Sequence, residues 1–220
     1  MLVSPRLALP ALLALALFAC DNKPDAPAAA TGPAVASTVS TAAAAAATPA
    51  GTVSYAIDSA TSKIEWTGAK ITGKHDGSFA KFTGAIEVPG GKAEAGMVHL
   101  VIDTTSLTAD PDKLAGHLKS PDFFDVQKYP TATFDSTSIA ATPGGPNGAT
   151  HAITGNLTLH GQTKSITFPA TISTDGGKIT AKSEFSIARK DFGLVYPGMP
   201  NDLIKDDVSI RLTIDAAKKS

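Results

Sequence analysis

Apolar and polar residues alternate with period two along most of the chain beyond residue 51. Such alternation is typical of strands that bury one face and expose the other. Glycine-containing segments such as Pro89-Gly90-Gly91, His160-Gly161 and Asp175-Gly176-Gly177 interrupt the alternation and predict tight turns. The pattern predicts eight or nine strands with short connections, with apolar positions at Val53, Tyr55, Ile57, Ile64, Trp66, Phe82, Ile86, Val88, Val98, Leu100, Ile102, Ala132, Phe134, Ile153, Leu157, Leu159, Ile166, Phe168, Ala170, Ile172, Ile179, Ala181, Phe185, Ile187, Val208, Ile210, Leu212 and Ile214.

A set of strands with so few helices predicts an all-β domain that closes on itself. Closure into an antiparallel barrel of about eight strands removes the exposed sheet edges that would otherwise invite aggregation. Small residues recur in register with the large apolar ones, which indicates either an interior cavity for a ligand or glycine at barrel corners and bulges. Their repetition across several strands favours the cavity, and they are Gly84, Ala132, Gly155, Ala170, Ala181 and Ser183.

The stretch from Gly116 to Phe134 breaks the alternation. It carries four of the thirteen aromatic residues, clustered around Pro121 and Pro130. Two prolines nine residues apart exclude a long regular helix. The stretch therefore predicts a long crossover with a short helical turn, and long irregular connections in compact domains are often lids or plugs. We expect its aromatic side chains to close one end of the barrel.

The first twenty residues predict export from the cytoplasm. Residues 1–19 contain Arg6 and then a short apolar run, which fits a cleaved signal better than a membrane-spanning helix. The run ends in Leu17-Phe18-Ala19-Cys20, which resembles the lipobox of bacterial lipoproteins and implies cleavage before Cys20 and acylation of that residue. An ordinary secretory signal is the alternative. Asp21 resembles the signal that retains lipoproteins in the inner membrane, on its periplasmic side.

Residues 20–51 are rich in alanine and proline and contain no aromatic side chain. Such a segment buries too little apolar surface to offset the entropy of ordering it. The composition therefore predicts a disordered tether between Cys20 and a single domain at residues 52–220.

Charge and motifs favour binding over catalysis. The formal net charge is −1, with Lys and Arg scattered, so no nucleic-acid-binding surface is expected. Cys20 is the single cysteine and the five histidines lack metal-site spacing, so neither a metal nor another cofactor is expected. Arg189-Lys190, beside Asp191-Phe192-Gly193, indicates either a contact to an anionic headgroup at a barrel mouth or an ordinary charged turn.

Three segments of the chain resemble the YceI-like proteins, a bacterial polyisoprenoid-binding family. They are His117 to Phe134, Gly155 to Lys164, and Ala188 to Gly193, and the resemblance extends over about residues 52–216. It implies a lipocalin-like barrel whose apolar interior takes a long isoprenoid chain, of quinone or polyprenyl type, without catalysis. The lipobox and the tether depart from the simplest members of that family and imply a membrane-tethered binder.

The site residues expected from these observations are mainly aromatic. We expect an apolar tunnel formed or closed by Trp66, Phe82, Phe123, Phe124, Phe134, Phe168, Ala170, Ala181 and Phe185, with Arg189 and Lys190 near a headgroup. The expected partners are the isoprenoid lipid and the membrane through acylated Cys20, and a homodimer is a further option. Two alternatives stay open: a structural or stress-related envelope lipoprotein with a filled barrel, and an enzyme with a polar pair such as His99 and Asp103 inside the barrel.

Overall fold

The computed structural model of the protein describes residues 26–35, 51–175 and 177–219. The predicted signal at residues 1–19, Cys20 and Asp21 lie outside the described residues. Within the described ranges the chain forms one α-helix, α1 (Asp112–Lys119), and thirteen strands: β1 (Ala30–Pro33), β2 (Thr52–Ile57), β3 (Lys63–Lys70), β4 (Gly73–Phe79), β5 (Phe82–Pro89), β6 (Met97–Asp103), β7 (Leu107–Ala109), β8 (Thr131–Ala141), β9 (His151–Leu159), β10 (Gln162–Asp175), β11 (Lys178–Ala188), β12 (Gly198–Met199) and β13 (Asp202–Lys218).

Eight of these strands close into the antiparallel barrel that the sequence predicts. Going round the barrel, the hydrogen-bonded order is β2, β5, β6, β8, β9, β10, β11 and β13, and β13 pairs with β2 to complete the ring. The alternating apolar residues point inward and form one continuous core. Closure leaves no free edge in the ring itself, as expected for a barrel.

The strands β3, β4 and β7 extend the wall at one end of the barrel. The 17-residue strand β13 pairs with β3 over residues 204–213 and with β2 only at residues 216–218. β4 pairs with both β3 and β7. The sequence did not predict β4, because its residues Gly-Lys-His-Asp-Gly-Ser-Phe contain a single large apolar side chain and therefore show no alternation.

The crossover between β7 and β8 contains more helix than predicted. The sequence indicates about one turn after Gly116, whereas α1 begins at Asp112 and runs for eight residues. The helix begins with an acidic residue and ends with His117 and Lys119 in its last turn, an arrangement that suits the helix dipole. Pro121 follows directly after its C-cap residue Ser120, where proline stops a helix.

Part of the predicted disordered tether is instead a strand of the wall. β1 pairs with residues 164–167 of β10, so the prediction of disorder is wrong for residues 26–35. Just before β1, the N–H of Ala29 donates to the carbonyl of Ser186 on β11 at 2.8 Å, and the N–H of Ser186 donates to the carbonyl of Pro27 at 2.8 Å. The segment therefore lies between β10 and β11. The rest of the tether, residues 20–25 and 36–50, lies outside the described residues.

Proline explains why the wall has room for this segment. Beyond the pair of Thr171 with Lys182, β10 no longer pairs with β11. The next residues of β10 include Pro169, which has no N–H to give to a neighbouring strand. Main-chain hydrogen bonds from residues 27–33 fill the place of the missing ladder. Side-chain composition, on which the prediction of disorder rested, does not report such bonds.

Candidate functional site

The barrel encloses an apolar cavity of about 190 Å³. Its walls come from β3, β4, β6, β8, β9, β10, β11 and β13, and α1 and the crossover contribute from one end. Among the described residues that line it, Arg189 alone carries a charge. The structural alternative predicted a filled barrel, and the cavity runs against that expectation. Such a space favours a hydrocarbon, because polar groups transferred into it would lose their hydrogen bonds to water.

Six of the predicted aromatic residues line this cavity: Trp66, Phe123, Phe124, Phe134, Phe168 and Phe185. Ala181 instead lines a smaller cavity of about 60 Å³ farther along the barrel. Phe82 and Ala170 are buried in the core and line neither cavity. The sequence missed several lining residues, among them Phe79, Leu118, Leu194 and Ile204. Of these, Leu118 lay in the segment His117 to Phe134 already noted for the family resemblance.

Three phenylalanines pack together on the side of the larger cavity that faces the smaller one. Phe168 and Phe185 stack with ring centroids 4.3 Å apart, and Phe134 meets Phe168 at 5.6 Å. Along β10 the order is Phe168 at the larger cavity, Ala170 at neither, and Ile172 at the smaller one. The two cavities therefore follow each other along the barrel, and the layer that holds Ala170, next to the phenylalanine stack, divides them.

Glycines make room for these rings. A Cβ at Gly155 would lie 2.4 Å from the ring of Phe134, and a Cβ at Gly77 would lie 2.2 Å from the ring of Trp66. The small residues on the apolar faces thus have two different roles. Ala132 lines the larger cavity, whereas Gly155 is small because a neighbouring ring covers it.

An aromatic cap, defined as His117, Phe123, Phe124 and Tyr196, closes one end of the larger cavity. The rings of His117, Phe123 and Tyr196 lie 5.1 Å apart, centroid to centroid, in all three pairs. Phe124 packs against Phe79 at 5.9 Å. The crossover thus covers the end of the cavity with aromatic side chains, in the position expected of the predicted plug.

The crossover is fastened to the barrel by two further contacts. The Thr104 hydroxyl, 1% exposed, donates to the carbonyl of Tyr129 at 2.7 Å. The Tyr129 ring meets His160 at 4.6 Å and lies against Gly161, at the turn between β9 and β10. Both turn residues have positive φ, 50° for His160 and 72° for Gly161, as the predicted tight hairpin requires.

Arg189 is buried at the edge of the cavity, only 4% exposed, and braces the chain. Its guanidinium donates to the carbonyls of Leu194, Ile204 and Lys205, the last at 3.0 Å. Burial lowers the pKa of Arg189, and Asp206 partly opposes that shift. The guanidinium N–H groups named above donate to main-chain carbonyls in this structure, so a contact between Arg189 and a lipid headgroup stays a prediction.

Lys190 lies outside the cavity. Its Nζ is 4.0 Å from Asp206 Oδ2, and its backbone N–H donates to Asp206 Oδ1 at 3.0 Å.

Trp66, at the cavity wall, has a buried Nε1 that finds no hydrogen-bond partner within the part of the chain that the structure describes.

The polar pair required by the enzyme alternative is not formed. His99 Nδ1 pairs with Asp135, and both side chains are about half exposed to solvent. Asp103 instead accepts hydrogen bonds from Thr105, which lowers the pKa of its carboxyl group.

Residues 26–35, 51–175 and 177–219 contain no cluster of three or more His, Cys, Asp or Glu side chains suited to a metal ion. Their single helix is too short to cross a membrane.

Comparison with known families identifies a YceI-like domain at residues 55–216. The chain is 33% identical over 140 residues to a UPF0312 protein of Pseudomonas putida strain F1, covering 61% of this chain and 71% of that protein. A UPF0312 protein of Pseudomonas savastanoi pv. phaseolicola is also 33% identical, over 139 residues that cover 60% of this chain and 70% of that protein.

Solved structures share the fold. BcnA of Burkholderia cenocepacia superposes with a TM-score of 0.62 at 28% identity, covering 72% of this chain and 98% of that one. A polyisoprenoid binding domain from Saccharophagus degradans, implicated in plant cell wall breakdown, superposes with a TM-score of 0.59 at 17% identity, covering 75% and 98%. The latter similarity establishes the fold alone.

Proposed function

This chain belongs to the YceI-like family, and we propose that its barrel binds a long-chain isoprenoid lipid without catalysis. The observation that carries the proposal is the apolar cavity of about 190 Å³ inside a barrel of this family. The name of the Saccharophagus relative, a polyisoprenoid binding domain, supports the same ligand class.

Burial of hydrocarbon is sufficient to hold such a ligand. Each buried CH₂ group contributes about 0.8 kcal/mol, so a few isoprene units supply several kcal/mol without any polar contact. The cavity lining suits such a ligand, because among the described lining residues only Arg189 is charged and its guanidinium is hydrogen-bonded to main-chain carbonyls. Any catalytic group would need a polar partner inside the barrel, and the pair His99–Asp135 lies on its outer surface.

The size of the cavity sets a condition on long ligands. A cavity of about 150 Å³ holds one benzene molecule, so 190 Å³ admits only one or two isoprene units. A longer chain must displace the phenylalanine stack to reach the cavity of about 60 Å³ beyond it, or pass outward through the aromatic cap. We therefore propose that the barrel widens when it binds its ligand.

We further propose that the lipid is a quinone or polyprenyl type and that the barrel is held at a bacterial membrane by acylated Cys20, on the periplasmic side. Asp21 favours the inner membrane. Because residues 26–35 are docked on the barrel, five residues separate Cys20 from Ala26. Fully extended, that connection reaches about 20 Å, so the barrel stays close to the bilayer.

The single tryptophan gives a direct test, because Trp66 lines the cavity. A benzoquinone with a prenyl tail of two or three units should quench the fluorescence of Trp66 saturably, in stoichiometric amounts. The same quinone ring without a tail should quench only weakly and without saturation. Equal quenching by both compounds would refute the proposal, because the hydrocarbon tail would then contribute nothing to binding.

A further inference from the structure

Four exposed aliphatic side chains gather at one end of the barrel. Among the described residues the large apolar side chains with the greatest exposure include Val195 at 64%, Met199 at 63%, Ile71 at 53% and Leu203 at 46%. Ile71 lies in the turn between β3 and β4, and Met199 and Leu203 lie in the β12–β13 hairpin. The N–H of Ile71 donates to the carbonyl of Leu203 at 3.2 Å, which joins the two turns. These four residues are called the apolar rim.

One carboxylate links the two turns that carry Ile71 and Leu203. Asp202 accepts hydrogen bonds from the N–H of Thr72 at 3.0 Å and from its hydroxyl at 2.9 Å. Its second oxygen lies 2.7 Å from Lys70 Nζ. Lys70, Thr72 and Asp202 flank Ile71 and Leu203, so their contacts hold the two turns together beside these apolar side chains. Ile71 and Leu203 are therefore exposed on turns that are joined by hydrogen bonds.

The rim adjoins residues of the larger cavity along the chain. Val195 follows Leu194 in the chain, Leu203 precedes Ile204, and both Leu194 and Ile204 line the cavity. Arg189 brings those two segments together, because its guanidinium donates to the carbonyls of Leu194 and Ile204. A hydrocarbon chain that leaves the cavity at this end would pass from Leu194 and Ile204 directly onto the rim.

We propose that the apolar rim inserts into the surface of a lipid bilayer and docks the cavity end of the barrel there. Exposed apolar patches on soluble domains mark protein or membrane contact sites. This inference rests on the proposed function in one respect: a lipid ligand has to come from a bilayer, and the rim lies on its path to the cavity.

The size of the rim favours a bilayer over a second copy of the chain. Four partly exposed aliphatic side chains offer on the order of 400 Å² of apolar surface. A stable protein interface buries about 800 Å² on each partner. Aliphatic side chains on protruding turns need no complementary protein surface to enter the acyl boundary of a membrane.

The test uses residues 20–220 carrying Cys20→Ser, so that neither the apolar run of residues 1–19 nor an acyl group can anchor the chain. Co-sedimentation with vesicles of phosphatidylethanolamine and phosphatidylglycerol measures its partition coefficient. The double variant Met199→Gln, Leu203→Gln should lower the coefficient by about tenfold per side chain. The matched control is Val35→Gln, which removes an apolar side chain of similar exposure, 47%, away from the rim and should leave partition unchanged.

Other results would overturn the proposal. Equal partition of the double variant and the parent would show that the rim does not enter the bilayer. A parent that sediments as a dimer in the ultracentrifuge, with the dimer lost in the double variant, would identify the rim as a contact between copies. Quenching of Trp66 by a soluble short-tailed quinone separates the two proposals. The double variant should retain it, and its absence in the parent would refute lipid binding by the cavity, whatever the vesicles show.

Discussion

Filling the larger cavity should weaken ligand binding without harming the fold. Ala132 is 2% exposed and lines the cavity, so Ala132→Leu adds three carbon atoms to a space of about 190 Å³. Those atoms occupy the place of roughly three ligand carbons, each worth about 0.8 kcal/mol on burial. The expected loss is about 2.4 kcal/mol, which raises the Kd for the prenyl quinone roughly 60-fold.

Ala170 provides the matched control. It is also 2% exposed, but it lines neither cavity and lies in the layer between them. Ala170→Leu should therefore overpack the core and cost about 1–3 kcal/mol of unfolding free energy, while the folded fraction keeps a Kd within about threefold of the parent. The same substitution thus has opposite effects at two equally buried positions.

Two measurements on each variant decide the matter. Titration of the Trp66 fluorescence with the quinone gives the Kd, and urea unfolding gives the free energy of unfolding. If Ala132→Leu unfolds at the urea concentration of the parent and binds the quinone with the Kd of the parent, the ligand does not occupy this cavity.

Three further predictions concern the fold around the site. Ala29→Pro removes the 2.8 Å hydrogen bond to the carbonyl of Ser186 on β11 and should lower the free energy of unfolding by about 1 kcal/mol. It should also speed hydrogen exchange of the Ser186 amide. Unchanged exchange would mean that the segment does not dock in solution. Gly155→Ala places a Cβ 2.4 Å from the ring of Phe134 and should lower the free energy of unfolding in urea by about 1–3 kcal/mol. The control Gly116→Ala has open space around it and should stabilise α1. Equal changes in unfolding free energy for the two variants would contradict the packing described. Hydrogen bonding to its lysine partner is the largest cause that lowers the pKa of the Asp202 carboxyl, which by NMR should titrate below the usual aspartate value. Its contribution to stability is therefore present at neutral pH and is lost as the pH falls through that lowered pKa. Lys70→Met should move the midpoint back toward the usual value, and an unmoved midpoint would exclude the ion pair as the cause.

Alternation predicted the barrel because seven of its eight strands carry inward apolar residues at every second position over a long run. It failed for β4, where Gly77 is small because the Trp66 ring lies on it and most of the other residues are polar. It also failed for β1, which docks through main-chain hydrogen bonds at a place where Pro169 interrupts the ladder. Neither β4 nor β1 therefore shows apolar residues at every second position of the sequence.

The cavity could be predicted in part. Aromatic residues on strands, such as Phe168 and Phe185, were found because their strand faces were known. Leu194 and Ile204 come from a loop and a strand end that only tertiary folding brings together. Arg189 was expected near a headgroup, yet its partners are main-chain carbonyls of residues 5 to 16 positions away, which no local pattern reports.

The most direct test of the central claim is mass spectrometry of an organic extract from the Cys20→Ser chain, purified from bacterial cells without detergent. Lipid binding by the barrel predicts an isoprenoid species, a quinone or a polyprenyl lipid, in about one copy per chain, and less of it in Ala132→Leu. An extract that contains no isoprenoid, even after the purified chain has been offered prenyl quinone and polyprenyl phosphate, would refute isoprenoid binding by the barrel.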